Sequence, residues 1–184
     1  MKEQSFDSLG IGAALCRALT ELNYHRPTPI QAEAIPELLA GKDLLGIAQT
    51  GTGKTAAFAL PMLQALDPQC ASVQGLVVAP TRELANQVAR AIHNYGHHRR
   101  VRVLPVYGGQ SYTRQISRLQ RGVDIVVGTP GRMLDLIESM SADGIIPEAA
   151  EQRNACGAGA IAACISACQA IGASAGRVLA YTNS

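Results

Sequence analysis

Apolar residues fall along this chain in two periods, and the alternation between them sets out the fold. Leu76-Val77-Val78-Ala79 and residues 123–127 are runs of strand length with the pattern of parallel strands buried on both faces, and residues 101–106 read as a further strand. Between them the spacing lengthens. Leu84, Val88, Ile92 and Tyr95 share one helical face, and Tyr112, Ile116 and Leu119 share another. A further apolar run at 44–47 precedes a helical pattern over 56–66, and residues 133–139 predict one more helix. Strand and helix thus alternate four times with short connections. That order predicts an α/β fold, a mostly parallel sheet with helices on both faces.

Upstream of this alternation the pattern is looser. Phe6, Leu9, Leu15, Leu19 and Leu22 trace a helical stripe, with Asp7 or Ser8 available as N-cap. Asn23-Tyr24-His25-Arg26-Pro27-Thr28-Pro29-Ile30-Gln31 follows, a rigid two-proline turn into a short helix. Pro36 is expected to end or restart that helix, and Gly41 to close it. On pattern alone Phe6 is a core residue and Gln31 a surface polar one. Pro61 should kink the 56–66 helix, because the Ala57 carbonyl loses its donor, and Thr81 can cap the helix that begins after it. His97-His98-Arg99-Arg100 reads as a solvated basic turn.

The sharpest chemistry lies where the 44–47 run meets its helix. Ala48-Gln49-Thr50-Gly51-Thr52-Gly53-Lys54-Thr55 stands between strand and helix patterns, and that context makes it a phosphate-binding loop. Gly51 and Gly53 let the backbone curl so that N–H groups converge on an anion, and the following helix adds its positive end. Lys54 can reach β- and γ-phosphate oxygens, and the Thr55 hydroxyl can ligate Mg²⁺. The first position is Ala48 where Gly is usual. The bland alternative is a glycine-rich turn with an exposed lysine. Other Gly- and Pro-marked loops (Pro80-Thr81-Arg82, Gly108-Gly109 and Thr129-Pro130-Gly131-Arg132) also follow strand patterns. In parallel sheets such loops line the binding crevice, so the ligand surface should extend beyond a nucleotide.

Composition changes this picture little. The net charge is +2 over 184 residues, with +3 in residues 1–140 and −1 in the remainder; a nucleic-acid partner is permitted by this balance but not argued by it. The N-terminus has no apolar signal segment, and the five cysteines are odd in number. A reduced, cytoplasmic setting without a membrane fits both observations.

Taken together, the motifs over about residues 5–138 resemble the first RecA-like domain of bacterial DEAD-box ATP-dependent RNA helicases. Phe6, seventeen residues before Asn23, and Asn23-Tyr24-x-x-Pro27-Thr28-x-Ile30-Gln31 are similar to that family's Q motif. Residues 48–55 resemble its motif I and Pro80-Thr81-Arg82-Glu83-Leu84-Ala85 its motif Ia, while Gly108-Gly109 and Thr129–Arg132 resemble the glycine doublet and motif Ib. The resemblance implies an ATP and Mg²⁺ site built from Phe6, Arg26, Thr28, Gln31 and residues Ala48, Gln49, Thr50, Gly51, Thr52, Gly53, Lys54 and Thr55. Lys54 and Thr55 would be the catalytic pair, Phe6 would stack on adenine and the Gln31 amide would read its edge. Asn23 stands where the family usually has Gly. The resemblance also implies backbone contacts to one RNA strand from Pro80, Thr81, Arg82, Gly108, Gly109, Thr129, Pro130 and Gly131. Arg132 is either a further phosphate donor or a tie between loops. Such contacts carry no sequence information.

The resemblance fades after residue 140. No Asp-Glu-Ala-Asp or Ser-Ala-Thr string occurs in the sequence, and the second RecA-like domain that supplies an arginine finger in the family is not in this chain. Residues 141–184 are rich in Ala and Gly and hold three of the five cysteines. They read best as sequence foreign to the family, and less well as a membrane helix or as a metal site at Cys156, Cys164 and Cys168. The expected organisation is therefore an incomplete RecA-like domain over 1–140 and an atypical tail over 141–184. The 44–47 strand should then keep an unpaired edge unless the tail, with 178–181 as a strand, covers it. Two functions follow: an ATP-dependent RNA helicase piece, or a nucleotide- and RNA-binding module without hydrolysis. An unrelated P-loop chemistry is the third reading, and the joint motifs argue against it.

Overall fold

The computed structural model describes residues 4–70 and 72–133, and the backbone of 177–180. The expected helix at 134–139, most of the tail and its cysteines lie outside the described residues. The chain divides into two compact units, residues 1–67 with 90–101 and residues 68–89 with 102–184.

The first unit is helical. A 3-10 turn over Asp7–Leu9 is followed by α1 (Ala13–Glu21), α2 (Pro29–Leu39) and α3 (Lys54–Ala65), with the second half of α4 (Arg82–Tyr95) and a 3-10 turn at His97–Arg99. The expected stripe from Phe6 to Leu22 is two elements rather than one. Gly10, at φ +91°, ends the first turn, and α1 starts after Gly12, so neither Asp7 nor Ser8 caps it. The Gly12 N–H instead donates to Gln64 Oε1 at 3.1 Å. Leu15, Leu19, Ile35, Leu60, Leu63 and Ile92 are fully buried. Asn23 has φ +63°, in the left-handed region that Gly and Asn tolerate best; this is why Asn can stand at a position where Gly is usual.

Pro36 neither ends nor restarts α2. The helix runs through it to Leu39, with Pro36 on the exposed side and Ile35 and Leu38 buried. Gly41 (φ +79°) closes it with Gly41 N–H donating to the Leu38 carbonyl and Lys42 N–H to that of Glu37, the Schellman pattern. α3 likewise runs through Pro61. At its end Arg99 donates to the carbonyls of Leu63 and Leu66, the latter at 2.9 Å. A cation there serves the orphan carbonyls and the negative end of the helix, so the basic turn is a structural cap in part, not only a solvated loop.

The second unit holds the sheet. β1 (Gly75–Val78), β2 (Val103–Val106), β3 (Ile125–Gly128) and β4 (Arg177–Ala180) are all parallel, in the order β2-β3-β1-β4. Leu76 pairs with Val126 and Val126 with Leu104. These side chains share one face with Val106 and Met133, against which Ile116 and Leu119 of α5 (Tyr112–Gln120) pack. Val77, Ile125 and Val127, on the other face, are also buried, as apolar runs without alternation require. At the end of β3, Gly128 leaves no room for a Cβ, which would lie 2.5 Å from the Val106 carbonyl oxygen.

Two strand expectations are corrected. Residues 44–47 form no strand, and Leu45 and Ile47 are 83% and 85% exposed. A strand exists only through its partners, and no described strand pairs with this segment. The tail does supply a strand, but it lies beside β1 (Val77 opposite Leu179) and does not cover the 44–47 segment.

Candidate nucleotide site and nucleic-acid cleft

The phosphate loop is held from below by the turn that enters α2. Thr28 and Gln31 form a reciprocal cap at the start of that helix, and the Thr28 N–H donates to Gln31 Oε1 at 2.9 Å. Both residues then reach the loop. Gln31 Nε2 donates to the Gly53 carbonyl at 3.0 Å, and Thr28 Oγ1 donates to the Thr52 carbonyl at 2.8 Å. Gln31 is fully buried, not the surface residue its pattern suggests. An amide serves here because only a side chain with one donor and one acceptor bonds a backbone N–H and a C=O together.

The loop itself has the conformation its glycines predict. Gly51 and Gly53 sit at φ +81° and +89°. A Cβ on Gly53 would come within 2.2 Å of Gln31 Nε2, so this close approach demands glycine. Thr52 Oγ1 bonds the Gln49 carbonyl at 2.8 Å, fixing the turn. Lys54 opens α3, which no side chain caps, and Thr55 is its second residue. A helix N-terminus left open beyond a glycine turn fits a phosphate group. The Lys54 ammonium donates to the Ala48 carbonyl and so closes the loop on itself. Arg26 lies exposed on the preceding turn. Phe6 is 4% exposed, and its carbonyl accepts from the N–H groups of Leu9 and Ile11. That is the core placement its spacing alone suggests.

In the second unit, three of the predicted loops meet. A cleft of about 570 Å³ is lined by Pro80, Thr81, Arg82 and Glu83 after β1, Gly108 after β2, and Thr129, Gly131 and Arg132 after β3. Thr81 caps α4 as expected, accepting from the Leu84 N–H at 3.2 Å. The Arg82 guanidinium lies against the glycine doublet, where a Cβ on Gly109 would meet it at 2.7 Å. Pro130 begins a helical turn. Arg132 ties loops together, because its Nη1 donates to the Gln110 carbonyl at 3.1 Å and to Gln115 Oε1 at 3.3 Å. Gln115, 2% exposed, donates from Nε2 to the Tyr107 carbonyl at 3.2 Å. Sequence reasoning missed Gln115. The available signal was its place within the apolar spacing 112, 116, 119, where a polar residue predicts a buried hydrogen bond.

The sequence and the fold have counterparts among known proteins. The DEAD/DEAH box helicase family model matches residues 28–154. The chain belongs to this family. RNA helicase CrhR from Synechocystis sp. is 54% identical over 134 residues, covering 73% of this chain and 27% of its own. The ATP-dependent RNA helicase DeaD of Escherichia coli K12 is 54% identical over 142 residues, 77% of this chain and 23% of DeaD. This DEAD/DEAH box chain therefore spans about a quarter of the length of these relatives. Among solved structures, a DEAD box protein from Methanococcus jannaschii superposes with TM-score 0.70 at 34% identity, covering 74% of this chain and 38% of that one. The Saccharomyces cerevisiae protein Dbp5, bound to RNA and ADP BeF3, gives 0.68 at 33% identity, over 74% of this chain and 34% of Dbp5. The fold is thus a RecA-like α/β domain. No helix among the described residues is long and apolar enough to cross a membrane.

Proposed function

We propose that this chain is the ATP- and RNA-gripping part of an ATP-dependent RNA helicase. The observation that carries this reading is the hydrogen-bonded joint between Thr28, Gln31 and the phosphate loop, because it fixes the loop backbone in the conformation that a triphosphate needs. ATP bound with Mg²⁺ would supply a γ-phosphoryl group for transfer to water. The open first turn of α3 and the Gly51–Gly53 backbone hold phosphate oxygens. Lys54 exchanges the Ala48 carbonyl for them, and Thr55 offers its hydroxyl to the metal. Thr81, Arg82, Thr129 and the backbone at Gly131 donate to the sugar-phosphate backbone of one RNA strand, without reading its sequence. Arg132, engaged with Gln110 and Gln115, keeps two of those loops in place.

A second reading is favoured by one feature of the sequence. The 184 residues contain no Asp-Glu-Ala-Asp string, so residues 1–140 act as the start of a RecA-like domain and the chain alone binds nucleotide and RNA without turning ATP over. Nucleotide choice tests the shared core of both readings. Calorimetry should give tighter binding of ATP than of GTP; equal affinities would assign Phe6 and Gln31 to the fold alone.

A further inference from the structure

Glu21, His97 and His98 bring three ligand atoms within 4.8 Å of one another. We propose that they form a binding site for a first-row divalent metal ion such as Zn²⁺. Glu21 is the last residue of α1, and the two histidines belong to the 3-10 turn after α4, all within the first unit. His98 Nε2 lies 3.0 Å from both carboxylate oxygens, and His97 Nδ1 lies 4.0 Å from Oε2. The two imidazole centroids are 4.0 Å apart. With metal–ligand bonds of about 2.0–2.2 Å in tetrahedral geometry, neighbouring donor atoms stand roughly 3.3–3.6 Å apart. The observed separations bracket that range, so small side-chain rotations complete the site.

The chemistry of the donors agrees. Two imidazoles and one carboxylate are a ligand set that zinc accepts, with a fourth position left to water. Glu21 also sits where a carboxylate is otherwise unfavourable, at the negative end of a helix. The Arg99 guanidinium is bonded to the carbonyls of Leu63 and Leu66 and makes no ion pair with this carboxylate. A divalent cation held there would answer both the carboxylate and the helix end. It would join segments far apart in sequence and so stabilise the unit that carries the phosphate loop.

Cobalt(II) titrated into the full chain tests this, because its visible spectrum reports the ligands. The expected result is one Co²⁺ per chain, displaced by Zn²⁺, with no thiolate charge-transfer absorption. Glu21→Gln and His98→Ala should each weaken binding on the order of 10–100-fold, at least the cost of losing an outer-shell partner. His97, 55% exposed in its side chain, gives a third variant, His97→Ala, that leaves the core untouched. No uptake, a thiolate band showing that the cysteines hold the ion, or affinity unchanged in all three variants would overturn the site.

Discussion

Replacing Gln31 by Met tests whether the joint beneath the phosphate loop holds it in place. The substitution keeps length and apolar volume in a fully buried place while removing both hydrogen bonds. The Gly53 carbonyl retains the Ala57 N–H at 3.1 Å, so its loss is that of one ordinary hydrogen bond, about 1 kcal/mol. The Thr28 N–H loses the Gln31 acceptor in a part-buried position, at a cost of about 1–3 kcal/mol. The sum, about 2–4 kcal/mol, is a large share of the roughly 5–15 kcal/mol that separates a folded domain from its unfolded chain. The chain has no tryptophan, so urea unfolding is best followed by far-ultraviolet circular dichroism. ATP affinity should fall with stability, and so should affinity for pyrophosphate, because Gln31 acts on the loop and not only on a base. Gln31→Glu keeps an acceptor for Thr28 but turns an oxygen towards the Gly53 carbonyl, and should be no better than Met. A change in stability below about 0.5 kcal/mol, the range of an ordinary surface substitution, would refute this reasoning.

Three further outcomes are expected. Arg82→Ala should lower the salt slope of single-stranded RNA binding by about 0.7, the value of one phosphate contact; Gln115→Leu should weaken binding by about 0.5–1.5 kcal/mol with the slope unchanged, and equal slopes in both variants would dissolve the distinction between contact and support. Leu45→Lys with Ile47→Lys should reduce concentration-dependent self-association in sedimentation velocity, since these side chains are exposed and no described strand pairs with their segment; unchanged association would clear the segment. The 184-residue polypeptide, whose sequence holds no Asp-Glu-Ala-Asp string, should show no RNA-stimulated ATP hydrolysis, because one missing transition-state stabiliser costs on the order of 10²–10³ in rate; stimulation abolished by Lys54→Ala would contradict this.

The helices and the strands β1, β2 and β3 were legible because their signals are local. Val77 and Val127 declare a buried strand by their neighbours, and Thr81 declares a cap by its place before Leu84. What failed depended on partners. Residues 44–47 have strand composition, but a strand is made by the chain beside it. Pro36 looked like a breaker, yet its exposed position on α2 lets the helix pass, which one sequence window cannot reveal. The site divides in the same way. Glycine positions in the phosphate loop followed from spacing, whereas the engagement of Gln31 with Gly53 and of Arg132 with Gln115 arises from residues brought together only by folding. Phe6 shows the converse, since its spacing already suggested the core.

The most direct measurement of the central claim is calorimetric titration of ATP with Mg²⁺ into the chain and its Lys54→Ala variant. Lys54 opens α3 beside the glycine turn, and removing its ammonium should weaken ATP binding tenfold or more, about 1.4 kcal/mol, with circular dichroism unchanged. Equal ATP affinity in the two proteins would contradict the assignment of this loop as the triphosphate site.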